Sequence, residues 1–213
     1  KAYMEMPALH SIEHLMAALH ALQVDNLLVE VDGPELPLGD GSAQYFVNKI
    51  LEAGLVTQER PRKVRKITSP VAVVDEREPH SYLIALPGKG LRLSYYFTSD
   101  HKVTGNQFAQ YLITPEVFQK EIAPARTIAF YRELEALRKQ GLALGGNMDI
   151  AVVVGEEGYL NTLRFEDEIV RHKILDLIGD LYLLGPIEGE IIGLRSGHKL
   201  DLELALKLEN HLE

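Results

Sequence analysis

Residues 9–14, LHSIEH, match the pattern H-x-x-E-H, which in inverted zinc peptidases supplies two metal ligands and a catalytic glutamate from one helix. Chelation by both His10 and His14 requires residues 10–14 to be helical throughout. Ser11 is of the type that caps helix N-termini, and a cap there leaves His10 ahead of the helix, its ring off the face that carries His14. Glu13 and His14 then lie in the first turn. They can still serve one site if the helix start is aimed into a cleft, with His14 on a metal and Glu13 beside it. Glu13 can equally do no more than complement the helix dipole.

A second set of chemically capable residues lies far along the chain. In RHKILDLIGD, His172 and Asp176 are four apart, so on a helix both project from one face and could chelate a single ion. Lys173 and Asp180 share that helix. A solvated helix pair, a solvent-facing lysine and a surface carboxylate beside Gly179 are the ordinary alternatives. His198 follows RSG at a loop–helix junction, where an imidazole can enter a cleft and work as an acid or base, or stay exposed and inert. In ARTIAF, Arg126 and Thr127 follow Pro124, and the hydroxyl could donate to a substrate or cap a helix. Taken together, these residues form a constellation.

The elements that must position them follow from periodicity. SIEHLMAALHAL places Ile12, Leu15, Met16, Leu19 and Leu22 at amphipathic helical spacing. NLLVEVDG reads as a strand ending in a Gly-Pro turn, and GSAQYFVNKILEAG as a helix closed by Gly54. QERPRKVRKITSP is polar, basic and punctuated by proline, the best candidate for a boundary near residue 60. Beyond it, VAVVDE, SYLIALPG and LRLSYYFT predict antiparallel strands. AFYRELEALRKQG predicts a helix ending at Gly141, and DIAVVVGEEGYL a β-rich run. FEDEIVRHKILDLIGDLYLLG predicts a long helix ending at Gly185, followed by the strand EIIGLRSG and the helix LDLELALKLENHL. Each half thus has strands and a pair of helices, which predicts an α+β fold of two similar sandwiches, residues 1–60 and 61–213.

Composition narrows the partners. The 213 residues are 46% hydrophobic with a net charge of −9, a balance that argues against broad nucleic-acid binding. Without cysteine, a metal must be held by His, Asp or Glu. No apolar run approaches the roughly 20 residues of a membrane span and no signal peptide is evident, so the expectation is a cytoplasmic protein without stable membrane insertion.

The stretches SIEHLMAALHALQVDNLLVEVDGPELPLGDGSAQYFV, ARTIAF, GLALGGNMDIAVVV, LRFEDEIVRHKILDLIGDLYLLG and SGHKL, together nearly the whole chain, resemble the UDP-3-O-acyl-N-acetylglucosamine deacetylase family. That family is the zinc enzyme of the first committed step of lipid A synthesis. The resemblance implies two βααβ sandwiches facing each other across a zinc site. An insert at about residues 128–154 would line an apolar passage for the fatty acyl chain. It implies Zn2+ held by His14, His172 and Asp176, with Glu13 as general base and His198 as general acid or electrostatic partner, oriented by Asp180. Thr127 would polarise the amide oxygen, and Lys173 would contact substrate, a small UDP-acylglucosamine. Ile128 stands where the family commonly has an aromatic residue, which would alter a packing contact to the sugar or nucleotide. The family also carries a further stretch before the SIEH motif, so the first sandwich is expected to be incomplete at its N-terminal side. A monomer is expected. Two other readings of the same residues are a zinc peptidase that uses His10 and an inactive fragment that acts as a binding module.

Overall fold

The computed structural model describes residues 9–78, 80–133 and 148–213. Its main body is an α+β arrangement in which a sheet backs a layer of helices, and a further pair of helices lies on that layer. The sheet contains β1 (Arg65–Lys66), β2 (Val71–Val74), β3 (Tyr82–Leu86), β4 (Leu91–Phe97), β5 (Gln107–Ile113) and β8 (Ile187–Leu194), in the order β2-β3-β8-β4-β5, with β1 also paired to β8. A separate parallel pair joins β6 (Ile128–Phe130) to β7 (Val152–Val154). The helices are α1 (Glu13–Ala21), α2 (Gln44–Ala53), the single turn α3 (Pro115–Val117), α4 (Glu168–Leu181) and α5 (His198–Leu208).

The central strand β8 shows why the expected run of antiparallel strands is only partly realised. β2 and β3 do pair antiparallel, as do β4 and β5. β8 inserts between β3 and β4, antiparallel to the first and parallel to the second. Its alternation sets Ile187 and Ile191 against the helices while Glu188 and Glu190 face outward, the period-two pattern of a half-buried strand. A partner from the far end of the chain leaves no local trace near residues 82–97.

α4 is the axis of the structure. Ile169, Val170, Ile174, Leu175, Leu177, Ile178 and Leu181 are all within about 1% of full burial, and each contributes roughly 1.5–3 kcal/mol by leaving water. The helix is covered by the sheet on one side, by α5 beside it and by α1 across it. α1 reaches it closely because position 179 is glycine: a Cβ there would lie 2.0 Å from the Glu13 carbonyl oxygen. After Leu181 the chain tightens through a 3-10 turn, Tyr182–Leu184, and stops at Gly185 with φ 77°, the left-handed stop expected there.

Two sequence readings change at the N-terminal side. Ser11 does not cap α1: it has φ 58° and its hydroxyl donates to Glu35, while Ile12 takes the cap position without a side-chain bond. His10 still precedes the helix, bridged to Glu35. Residues 26–33 form no strand. No described strand lies alongside to take their N–H and C=O groups, and Leu27, Leu28, Val29 and Val31 remain exposed. α2 ends at Gly54, φ 87°, as its sequence implies. The helix expected over residues 129–141, with most of the expected acyl-passage lining, falls mainly outside the described residues.

Candidate metal centre

The second-half ligand candidates stand on one line. Glu168, His172, Asp176 and Asp180 recur every four residues along α4 and are all buried. That spacing keeps them on a slowly drifting stripe of the helix surface. The stripe is polar within an otherwise apolar helix, and α1 crosses it at Gly179, bringing its own first turn alongside.

That crossing carries His14 to the middle of the stripe. His14, His172 and Asp176 present ligand atoms all within 4.8 Å of one another. Asp176 Oδ1 lies 3.2 Å from His172 Nε2 and 3.9 Å from His14 Nε2, and the two rings meet edge to face with centroids 5.0 Å apart. The His172 Nδ1–H donates to the Ala125 carbonyl oxygen at 2.9 Å. That bond orients the ring so that Nε2 faces the cluster. Burial, and next the neighbouring His172, lower the His14 pKa to about 4, so its imidazole is neutral with a lone pair to offer. Burial opposes charge on Asp176, but His172 and Lys173 hold its carboxyl well below the usual range. Two imidazoles and a carboxylate, converging from two helices, suit a divalent metal with three protein ligands and an open position.

Of the other candidates, Lys173 contacts this group directly, and Asp180 and His198 pair one turn further along α4. Lys173 is neither solvent-facing nor isolated: its Nζ lies 2.6 Å from Asp176 Oδ2, and despite burial the carboxylate keeps its ammonium charged. Asp180 is likewise no surface carboxylate. It is buried and accepts a 2.7 Å hydrogen bond from His198 Nδ1. That bond, as the largest influence, raises the His198 pKa to about 9, and the histidine's charge acts on both His14 and Asp176. Glu13 is the residue beside His14, half-buried at the start of α1. Thr127 lies two residues beyond Ala125, the residue that fixes His172, and Ile128 begins β6. His10 is exposed and is not part of the ligand group, so the peptidase pattern does not form.

With this geometry in place, the comparisons decide the family. The family described as UDP-3-O-acyl N-acetylglycosamine deacetylase matches residues 4–210. The chain belongs to this deacetylase family. It is 45% identical over 201 residues to a UDP-3-O-acyl-N-acetylglucosamine deacetylase of Syntrophotalea carbinolica, an alignment covering 93% of this chain and 64% of that protein. A protein of the same name from Oleidesulfovibrio alaskensis is 44% identical over 206 residues, covering 95% of this chain and 67% of that protein. The chain thus spans about two thirds of the length of these deacetylase relatives.

Two residues near the site escaped the sequence reading. Glu168 continues the four-residue series backward from His172, a signal visible in the sequence. Asp201 is three residues after His198 on α5 and packs behind the His198–Asp180 pair, the atoms of all three lying within 4.8 Å. Burial, and next Asp180, raise its pKa to about 8. Among the described residues its Oδ1 has no hydrogen-bond partner. Nothing in HKLD distinguishes it from an exposed helix aspartate, because its burial comes from packing on α4. No described helix is long and apolar enough to cross a membrane.

Proposed function

We propose that this chain carries the zinc site of a deacetylase that hydrolyses the N-acetyl group of UDP-3-O-acyl-N-acetylglucosamine, releasing acetate in lipid A synthesis. The observation that carries the reading is the convergence of His14, His172 and Asp176 from two helices. The names of the relatives supply the substrate class. The division into sandwiches of residues 1–60 and 61–213, with an acyl-passage insert at about 128–154, belongs to the same proposal, as do a cytoplasmic location and a monomeric state.

His14, His172 and Asp176 would hold Zn2+. When bound, the ion supplies Lewis acidity, lowering the pKa of a coordinated water towards 7 and polarising the amide carbonyl. The remaining work falls to the chain's own groups. Glu13, next to His14 at the head of α1, takes the proton of the attacking water. Thr127 donates a hydrogen bond to the amide oxygen as charge develops there. Lys173 neutralises Asp176 and meets the substrate beside the ligands. His198 is held protonated by Asp180 and stands ready to give its proton to the departing glucosamine nitrogen, or to stabilise charge there. Ile128, at the start of β6, offers an aliphatic contact to the sugar or nucleotide.

The test is acetate release from UDP-3-O-acyl-N-acetylglucosamine together with metal analysis of the purified chain. The expectation is one zinc per chain, and a Glu13→Ala variant that keeps its zinc but loses turnover by about two to four orders of magnitude. Unchanged turnover in that variant removes Glu13 from the role, and zinc-loaded protein without acetate release leaves the chain a binding module.

A further inference from the structure

Arg126 and Glu168 form a buried ion pair that neither the metal site nor the proposed chemistry uses. Arg126 is 5% exposed and Glu168 is fully buried. The Arg126 side chain donates from Nε to Glu168 Oε1 at 2.9 Å and from Nη2 to Oε2 at 3.2 Å. Its own backbone N–H donates to the same Oε1 at 3.0 Å. The remaining guanidinium bonds reach the carbonyls of Asp149 and Thr162 at 3.3 and 2.7 Å. The Arg164 backbone N–H closes the set on Glu168 Oε2 at 2.6 Å. Burial opposes charge on Glu168, but Arg126 and these amides hold its carboxyl below the ordinary range.

What the pair fixes is the neighbouring backbone. Glu168 and His172 are successive members of the α4 stripe. Ala125 is tied to the second through its carbonyl, and Arg126 to the first through its amide. Thr127 comes next, its N–H donating to the Gly41 carbonyl at 2.8 Å and its carbonyl accepting from Val152 at 2.7 Å. The segment 125–127 is thereby registered against the metal-binding helix at two points one turn apart. An apolar pair of equal volume would fill the space but would leave this register unspecified, since directional bonds and not packing set it.

We propose that Arg126 and Glu168 are a positioning pair that sets the Thr127 hydroxyl relative to the His14–His172–Asp176 site. The inference rests on the deacetylase reading for the role of Thr127, but the placement itself is testable without turnover. The zinc-loaded chain and its Arg126→Lys, Glu168→Gln, Thr127→Ala and Arg126→Lys/Thr127→Ala variants are compared in three ways. Backbone amide exchange should speed up about tenfold or more at residues 125–128 in Arg126→Lys and Glu168→Gln, with α1 and α2 unchanged. Zinc affinity should stay within about threefold of the parent, because the ligands and the His172–Ala125 bond are untouched. In turnover, Arg126→Lys should lower kcat about tenfold or more with KM little changed, and should cost little further once Thr127 is alanine.

Exchange that is unchanged at 125–128, or raised equally across the whole chain, overturns the proposal, as does a kcat loss that multiplies fully in the double variant. If the parent releases no acetate, the deacetylase reading fails on its own, and the exchange and zinc measurements still decide the placement. Should Glu168→Gln not fold, Arg126→Lys, which keeps the charge but loses the fork, carries the test.

Discussion

At the scale of single residues, the candidate site separates groups that must be neutral from groups that must be charged. His14 is kept neutral by burial and by His172, with its pKa at about 4, while His198 is kept charged by its hydrogen bond to Asp180, with its pKa at about 9. Two histidines close enough to influence one another are thus pushed in opposite directions by their surroundings, the division a ligand and a general acid require. For His198 the protonated form is the useful one, so activity is lost as pH rises through its pKa, and the partner that raises that pKa extends the active range upward. Asp180→Asn keeps a hydrogen-bonding group but removes the charge. The alkaline limb of kcat/KM should therefore move toward neutral pH by about one to two units. A pH–rate profile of the two proteins checks this, and coincident alkaline limbs would detach Asp180 from His198's protonation.

At the scale of elements, the site depends on how closely α1 lies across α4. A Cβ at position 179 would meet Glu13 backbone atoms at 2.0, 2.7 and 2.9 Å, and backbone cannot step aside as a flexible side chain can. Gly179→Ala should therefore push the head of α1 away, costing about 1–3 kcal/mol of stability. Because Glu13 and His14 ride on that turn, zinc affinity should fall together with the melting temperature. Calorimetry and chelator competition measure the two, and a stable variant with parental zinc affinity would show that the crossing does not set the site. This crossing also marks where sequence reading stops. The i, i+4 pairing of His172 with Asp176 and the position of Glu13–His14 in a first turn are local properties, legible from spacing. That Gly179 is the seat of α1, that Asp201 is buried, and that β8 divides β3 from β4 are consequences of contacts between distant segments, and no local period encodes them. The run 26–33, which pairs with no described strand, is the converse case: its composition favours a strand, but a strand exists only where a neighbour completes its hydrogen bonds.

At the scale of the whole molecule, the ligand group joins position 14 to positions 172 and 176. Within the described residues, α1 is held to the rest by its apolar face, Leu15, Ala18 and Leu19 among them. The three ligands add a cross-link between elements about 160 residues apart in sequence, and they converge only in the folded chain. An ion bound there stabilises the native state by mass action: at a free concentration one hundred times its Kd the gain is about 2.7 kcal/mol. For a chain of this length each kcal/mol is worth about 2–4 °C in Tm. Chelation should thus lower the melting temperature by roughly 5–10 °C. The response should vanish in His14→Ala and persist in a His10→Ala variant, since His10 lies outside the ligand group. The pair of substitutions separates a site shared between two helices from a peptidase-like site within residues 10–14: loss of the chelator response in His10→Ala would favour the latter. A response retained in His14→Ala would instead mean that α4 holds the ion without α1. The convergence of the two ends of the chain would then be a matter of apolar packing alone, with Glu13 brought beside the site by Gly179 and not by the metal.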